Sequence, residues 1–337
     1  MDVDEKIEKI KRNILEIVTE DELRELLEEK KQPSAYIGYA PTGKLHIGYY
    51  IPVLKIRDLI DCGFRFKFLI ADLHAHLDDL KTPWELLDAR SKYYEEGIKA
   101  IMKSVGLDVS KVEFVKGSSF QLNPEYMEKV LRLAATTTLN RCKRAAAEVV
   151  RFGEEPKLGG FIYPLMQAED VPALNVDVAL GGIDQRGTYM LARDILPEID
   201  QKKPICIFTP LMPGLKGGKM SASKPESKID ILDDPDIITK KVKEAFCPAG
   251  QKEDNPVLSY VKYIIFPIFG KLIVERPEKY GGNAEYTSYE VLEKDFVDKK
   301  LHPLDLKTAV AKALNEVLSK VRSEFKDKEL IKKAYPD

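Results

Sequence analysis

Apolar residues recur along the start of the chain at steps of three and four: Ile7, Ile10, Ile14 and Ile17. That spacing lays one stripe along one side of a helix and predicts an amphipathic opening helix. Thr19 followed by Glu22 has the form of a reciprocal capping box, so a second short helix is expected through Leu26. The period then changes. Ser34–Tyr39 predicts a strand, Ala40-Pro41-Thr42-Gly43 a turn, and the stretch from about His46 to Asp61 a helix. Pro52 inside that helix predicts a kink, and Gly63 its stop. Phe66–Leu73 is a nearly continuous apolar run, as in a strand covered on both faces. Lys111–Val115, Val176–Leu180 and Ile205–Phe208 repeat that pattern, with helical segments between them.

Alternating strands and helices predict an α/β fold, a Rossmann-like doubly wound parallel sheet whose ligand crevice lies beyond the carboxyl ends of its strands. From about Ile231 the pattern is mostly helical, and Leu306, Val310, Leu314, Val317 and Val321 mark one face of the longest late helix. A domain boundary is therefore expected in Pro225–Asp236, dividing the chain into 1–230 and a helical 231–337.

Composition narrows the picture only a little. A chain of 337 residues suits two domains, and 44% hydrophobic with 32% charged residues is ordinary for a globular protein. No apolar run approaches the length of a membrane span. The acidic, amphipathic start lacks the pattern of a signal peptide. Cys62, Cys142, Cys206 and Cys247 are scattered without C-x-x-C spacing, which argues against a zinc site or a disulfide framework and fits a reducing cytoplasm. A net charge of −2 does not advertise a nucleic-acid partner, so an RNA binder of this composition needs local basic faces.

Three stretches carry chemistry. In Tyr36-x-Gly38-x-x-Pro41-Thr42-Gly43-x-Leu45-His46-Ile47-Gly48-Tyr49 a strand ends, a glycine-bearing turn follows, and a helix begins with His46 in its first turn. Helix N-termini offer unpaired N–H groups that suit phosphate, and glycines let a nucleotide approach the backbone. Taken alone, the same residues also fit a plain tight βα turn. Gly214-Leu215-Lys216-Gly217-Gly218-Lys219-Met220-Ser221-Ala222-Ser223-Lys224 combines glycines, lysines and hydroxyls, either a phosphate clamp or a solvated basic loop. Tyr163, Gln167 and Asp170 stand at steps of four and three, so a helix presents a hydroxyl, an amide and a carboxylate on one face. His74 and His76 are close together, but no cysteine or third histidine accompanies them, and a role for His74 at a pocket edge is preferred over a metal site.

The two glycine-bearing stretches, in this order and at this distance, resemble the HIGH and KMSKS signatures of class I aminoacyl-tRNA synthetases. His46-Ile47-Gly48-Tyr49 matches the first, with Tyr49 where the family's second histidine stands, and Lys219–Ser223 matches the second. Tyr163-Pro164-Leu165-Met166-Gln167-Ala168-Glu169-Asp170 and Gly181-Gly182-Ile183-Asp184-Gln185-Arg186 resemble the tyrosyl branch in its archaeal and eukaryotic form. So do Ala71–Leu77, Phe246-Cys247-Pro248 and Leu301–Lys307, and the likeness runs from about residue 7 to 325.

The resemblance implies activation of L-tyrosine with ATP and Mg²⁺, then transfer to the 3′ end of tRNA(Tyr), in a cytoplasmic homodimer. His46 and Lys219 are the implied catalytic residues. Tyr36, Tyr163, Gln167, Asp170 and Gln185 would bind tyrosine, with Tyr36 and Asp170 serving the phenol. Gly38, Gly48, Asp184, Met220, Ser221 and Ser223 would bind ATP, Asp184 through the ribose. Arg186, Tyr280, His302 and Asp305 would touch tRNA, the first at the acceptor end and the others at the anticodon. Asp305 and Pro303 also fit ordinary helix-start chemistry. A region from about 115 to 160, with Arg141, Lys143, Arg144 and Arg151, is implied to meet the acceptor stem or a second subunit, and 231–337 to bind the anticodon. No metal held by protein side chains is expected. Tryptophanyl enzymes share both signatures and are the nearest rival. A small-molecule nucleotidyltransferase and an inactive RNA-binding paralogue fit less of the pattern.

Overall fold

The computed structural model describes residues 1–150, 152–218, 220 and 225–336, with the side chain of Tyr280 outside the description. Six strands form one sheet: β1 (Glu16–Val18), β2 (Ser34–Tyr39), β3 (Arg65–Ile70), β4 (Val112–Lys116), β5 (Val178–Gly182) and β6 (Ile205–Thr209). Their order is β1-β6-β5-β2-β3-β4, parallel throughout except for β1, which runs antiparallel along β6. A doubly wound α/β sheet is therefore observed as expected. All five residues of β6 and four of the five in β5 are buried, which explains their unbroken apolar sequence.

The strand order reverses between β2 and β5, the place where such sheets open a crevice. Only Ala35–Val178 and Tyr36–Ala179 pair across that junction, while β5 stays in register with β6 as far as Gly182–Thr209. Beyond Tyr36 the two strands part, and the gap between Tyr39 and Gly182 is the mouth of the site.

Local chemistry sets the flanking helices. Thr19 Oγ1 accepts from the Glu22 N–H at 3.2 Å and Glu22 Oε2 from the Thr19 N–H at 3.3 Å, so the expected capping box starts the helix Glu20–Glu29. The opening helix stops at Lys11, Ile14 lies in the connection, and Ile17 belongs to β1 opposite Ile207; the four isoleucines thus do not share one helix. A three-residue edge strand is too short to show a period of two. The expected strand Phe66–Leu73 ends at Ile70, because Asp72–Leu77 is already helical. Pro52 is the third residue of the helix Tyr50–Asp61, in the first turn, where the missing N–H costs little, so the expected kink is not needed. Gly63 follows that helix with φ +94°, a left-handed position that favours glycine. The basic stretch after Pro124 is two helices rather than one: Pro124–Thr136, then Leu139–Ala146 carrying Arg141, Lys143 and Arg144. Arg151 lies outside the described residues.

After Ile231 the described chain is helical apart from a hairpin of β7 (Leu272–Val274) and β8 (Ala284–Tyr286). The helix Pro303–Glu324 buries Leu306, Val310, Leu314, Val317 and Val321, and packs on the helices Pro235–Glu244 and Leu87–Ser104. One apolar core runs from Ile37 and Phe68 in the sheet through Ile229 and Ile238 to Leu314 and Phe325.

Candidate active site

At the crevice, Ile37, Gly38 and Tyr39 at the end of β2 face Leu180, Gly181 and Gly182 at the end of β5 across a cavity of about 210 Å³. His46, Gly48, Asp184, Gln185, Met212 and Met220 complete its lining. The residues predicted for nucleotide binding that are described, Gly38, Gly48, Asp184 and Met220, therefore come together with His46. Lys219, Ser221 and Ser223 lie outside the described residues.

His46 is placed by capping. It precedes the 3₁₀ turn Ile47–Tyr49 in extended backbone, and its Nδ1 accepts from the Gly48 N–H at 3.2 Å. Its position is thus the cap itself and not the first helical turn. A Cβ at Gly48 would meet the His46 ring at 3.0 Å, so the small residue makes room for the imidazole. Burial, and after it the Lys228 ammonium, depresses His46 to about 3. A neutral imidazole with its other nitrogen uncommitted to the cap is a donor suited to phosphoryl oxygens.

The turn before His46 is held from behind. Tyr94 and Tyr335 both donate their hydroxyls to the Gly43 carbonyl, at 2.8 and 2.6 Å, and Arg90 Nη1 donates to the Thr42 carbonyl at 3.2 Å. Tyr49 packs its ring 4.9 Å from that of His46 and 4.8 Å from that of Tyr39, with its hydroxyl 3.0 Å from that of Tyr94. The aromatic at the fourth signature position is a buttress.

Deeper along the same strands lies a second polar cluster. The helix Gly159–Ala173 buries Tyr163, Gln167 and Asp170 together, as their spacing predicts. Asp170 Oδ1 accepts from Gln121 Nε2 at 2.7 Å and from the Tyr126 hydroxyl at 2.9 Å, and Oδ2 lies 3.8 Å from His74 Nε2. Burial pushes Asp170 up to about 7 against the pull of those two donors. His74 is itself depressed to about 4 by burial, so it stands neutral near neutral pH. The Tyr189 hydroxyl donates to that of Tyr36 at 3.1 Å. Burial, Tyr189 and Asp170, in that order, hold the Tyr36 phenol well above its ordinary range.

Gln167 Nε2 donates to Gln185 Oε1 at 3.0 Å, while Gln167 Oε1 is buried without a partner. His74 Nε2, at 3.8 Å from Asp170 Oδ2, and Gln121 Oε1 are likewise buried without a hydrogen bond. Each such orphan costs about 1–3 kcal/mol, which a polar ligand would recover. A buried cluster of a carboxylate and amides with unmet acceptors suits groups that donate, such as a hydroxyl or an ammonium.

Comparison with known proteins agrees with this geometry. A family model described as tRNA synthetases class I (W and Y) matches residues 28–319. The chain belongs to that family. This synthetase is 51% identical to the tyrosine--tRNA ligase of Haloarcula marismortui, over 100% of the chain and 99% of the relative. It is 44% identical to the cytoplasmic tyrosine--tRNA ligase of Xenopus laevis over 98% of the chain, spanning 63% of that longer protein. The crystal structure of tyrosyl-tRNA synthetase from Archaeoglobus fulgidus complexed with L-tyrosine superposes with a TM-score of 0.92 at 46% identity, covering 96% of this chain and 100% of that one.

Gln121, Tyr126 and Tyr189 are part of the site but escape the sequence reading. Gln121 and Tyr126 sit 49 and 44 positions from Asp170, with no spacing between them to betray the contact. The described residues expected to touch tRNA are far less enclosed. Arg186 grips Glu16 of β1 through Nε at 2.6 Å and Nη2 at 2.9 Å. His302 caps the helix Pro303–Glu324 through Nδ1, and Asp305 stands in its first turn, so both have a local task. Arg276 Nη1 donates to the Lys300 carbonyl at 3.2 Å and ties the loop of Tyr280 to the approach to His302. His76 is held by the Thr82 carbonyl and stands edge-on to Trp84. Among the described residues no group of three or more His, Cys, Asp or Glu side chains is arranged to hold a metal.

Proposed function

We propose that this synthetase activates L-tyrosine with ATP and transfers it to the 3′ end of tRNA(Tyr). The observation that carries the choice of amino acid is the buried carboxylate of Asp170, near the Tyr36 hydroxyl and on one helical face with Tyr163 and Gln167. A tyrosine phenol would donate to Asp170 and accept from Tyr36. Its ammonium would be taken by Gln167 Oε1, with Tyr163 and Gln185. Phenylalanine would leave Asp170 and Tyr36 without that partner, which costs about 1–3 kcal/mol per group. An indole N–H would also reach a carboxylate, but has no oxygen to accept from Tyr36.

Adenylation joins the tyrosine carboxylate to the α-phosphorus and releases pyrophosphate. The carboxylate is already ionised at neutral pH, so no general base is needed. What the protein supplies is position and charge stabilisation. His46 would donate to the phosphoryl oxygens, joined by Lys219 from its loop, with Ser221 and Ser223 shaping that loop. Asp184 would hold the ribose, and Gly38, Gly48 and Met220 would line the adenosine. Mg²⁺ would enter with the triphosphate as part of the substrate, held by phosphate oxygens and water. In the second step a ribose hydroxyl of the tRNA end attacks the adenylate and displaces AMP.

Residues 1–230 would form the catalytic domain, with acceptor-stem and subunit contacts from about 115–160, and 231–337 would read the anticodon through Tyr280, His302 and Asp305. Arg186 would touch the acceptor end. The exposed Leu131 and Leu139 of that inserted region suit a homodimer. No helix among the described residues is long and apolar enough to cross a membrane; a cytoplasmic location follows the naming of the animal relatives. Pyrophosphate exchange into ATP with tyrosine, tryptophan and phenylalanine offered separately tests the reading. Exchange with tyrosine alone is expected; exchange with tryptophan, or none, would refute it.

A further inference from the structure

Lys228 is a lysine that no step above uses, and it is almost wholly buried, its side chain 3% exposed. Its ammonium donates to the Lys44 carbonyl at 3.2 Å and lies 2.8 Å from Asp230 Oδ1. Lys44 is two residues before His46. The backbone repeats the link: the Ile47 N–H donates to the Ile229 carbonyl at 2.9 Å, and the Ile231 N–H to the Leu45 carbonyl at 3.2 Å. His46 and Asp230 face each other as an antiparallel bridge.

The same stretch closes the signature loop. The Leu215 N–H donates to the Ser227 carbonyl at 2.9 Å, and the Gly214 N–H to the Gly218 carbonyl at 2.8 Å. One continuous run of chain therefore leaves the base of the lysine-bearing loop and pairs directly with the turn that carries His46. Two backbone bonds could hold such a pairing without burying a cation. A buried ammonium is costly unless its partners are fixed, and here both partners sit on the two segments being joined.

We propose that Lys228 is a positioning residue for adenylate formation, clamping Lys44 and Asp230 so that the His46 turn and the base of the Gly214–Ser227 loop hold one fixed spacing. The inference rests on the proposed synthetase activity. Lys228 does not reach substrate; it sets where the two phosphate-binding segments stand relative to each other. The same charge also disfavours protonation of His46, which keeps the imidazole a neutral donor. A small error in that spacing falls on the transition state, where both segments must meet the phosphates at once. Tyrosine, bound deeper by Asp170 and Gln167, is spared.

The test compares wild type, Lys228→Met and Lys228→Arg in tyrosine-dependent pyrophosphate exchange, with tyrosine affinity by calorimetry and amide hydrogen exchange at Ile47 and Ile231. Lys228→Met should lower the kcat of exchange about 10- to 100-fold, leave tyrosine Kd within about twofold, and speed amide exchange at both positions about tenfold or more. Lys228→Arg, which keeps charge and donors, should recover most of the lost rate. Unchanged kcat in Lys228→Met, a parallel loss of tyrosine binding, or an arginine variant no better than methionine would overturn the proposal. If wild type itself shows no exchange, the functional reading fails, and the amide measurement still decides the clamp: unchanged protection at Ile47 and Ile231 refutes it.

Discussion

Replacing Asp170 by asparagine should make this protein more stable and a worse tyrosine binder at the same time. The carboxylate is 1% exposed and burial pushes it up to about 7 from an ordinary 3.8. The difference, at about 1.4 kcal/mol per pH unit, means that ionised Asp170 costs on the order of 4 kcal/mol of folding stability above pH 7. The sign follows from linkage. A carboxyl whose folded pKa is raised binds its proton more tightly in the native state. Its contribution is therefore fully present below the unfolded pKa and is lost as pH rises through about 7. Asparagine is a neutral mimic of the protonated form and keeps an oxygen for Gln121 and Tyr126. The Asp170→Asn protein should thus gain up to about 4 kcal/mol at pH 8, and the gain should shrink steadily and vanish near pH 4. Tyrosine binding should move the other way. A hydrogen bond to a charged acceptor is worth about 1.5–3 kcal/mol, or about 10- to 150-fold in affinity. Chemical denaturation of both proteins from pH 4 to 8, with calorimetry of tyrosine and phenylalanine binding, reads both effects. A variant no more stable than wild type at pH 8 would refute the burial argument. Tyrosine affinity within twofold of wild type would refute the role of Asp170 as the phenol's acceptor.

His46→Ala and Lys219→Ala should each depress adenylate formation, by roughly the 2.7–4 kcal/mol of one lost oxyanion donor, and leave tyrosine binding nearly intact; a large loss of tyrosine affinity in both would sink the assignment. Because burial and Lys228 hold His46 down to about 3, the wild-type rate of pyrophosphate exchange should show no step from this histidine between pH 5 and 9, and a step abolished by His46→Ala would contradict it. Glu16→Gln removes the carboxylate that grips Arg186 at 2.6 Å, and should lower the KM for tRNA severalfold without touching pyrophosphate exchange; an unchanged KM would place Arg186 off the tRNA path. Asp305→Ala should raise the KM for wild-type tRNA and narrow the preference over an anticodon-altered tRNA, and identical kinetics on both would end the anticodon role.

What could be read without coordinates is what depends on near neighbours in the chain. The α/β alternation, the capping box at Thr19 and Glu22, and the shared helical face of Tyr163, Gln167 and Asp170 follow from periods and caps a few residues long, set by local geometry. The turn that carries His46 was legible for the same reason: it is a contiguous string. Misreadings arose where an element was too short for its period, as with Ile17 in a three-residue strand, or where an apolar run crossed a boundary, as at Ile70 and Ala71. Tertiary structure alone decided how far β2 and β5 stay paired, and hence where the crevice opens. It alone brought Gln121 and Tyr126 onto Asp170 and Tyr189 onto Tyr36, and buried Lys228 between the His46 turn and the base of the Gly214–Ser227 loop. Those contacts join residues tens to hundreds of positions apart, and their strength comes from being shut away from water. No local pattern encodes that burial; it exists only once the sheet and helices have closed around it.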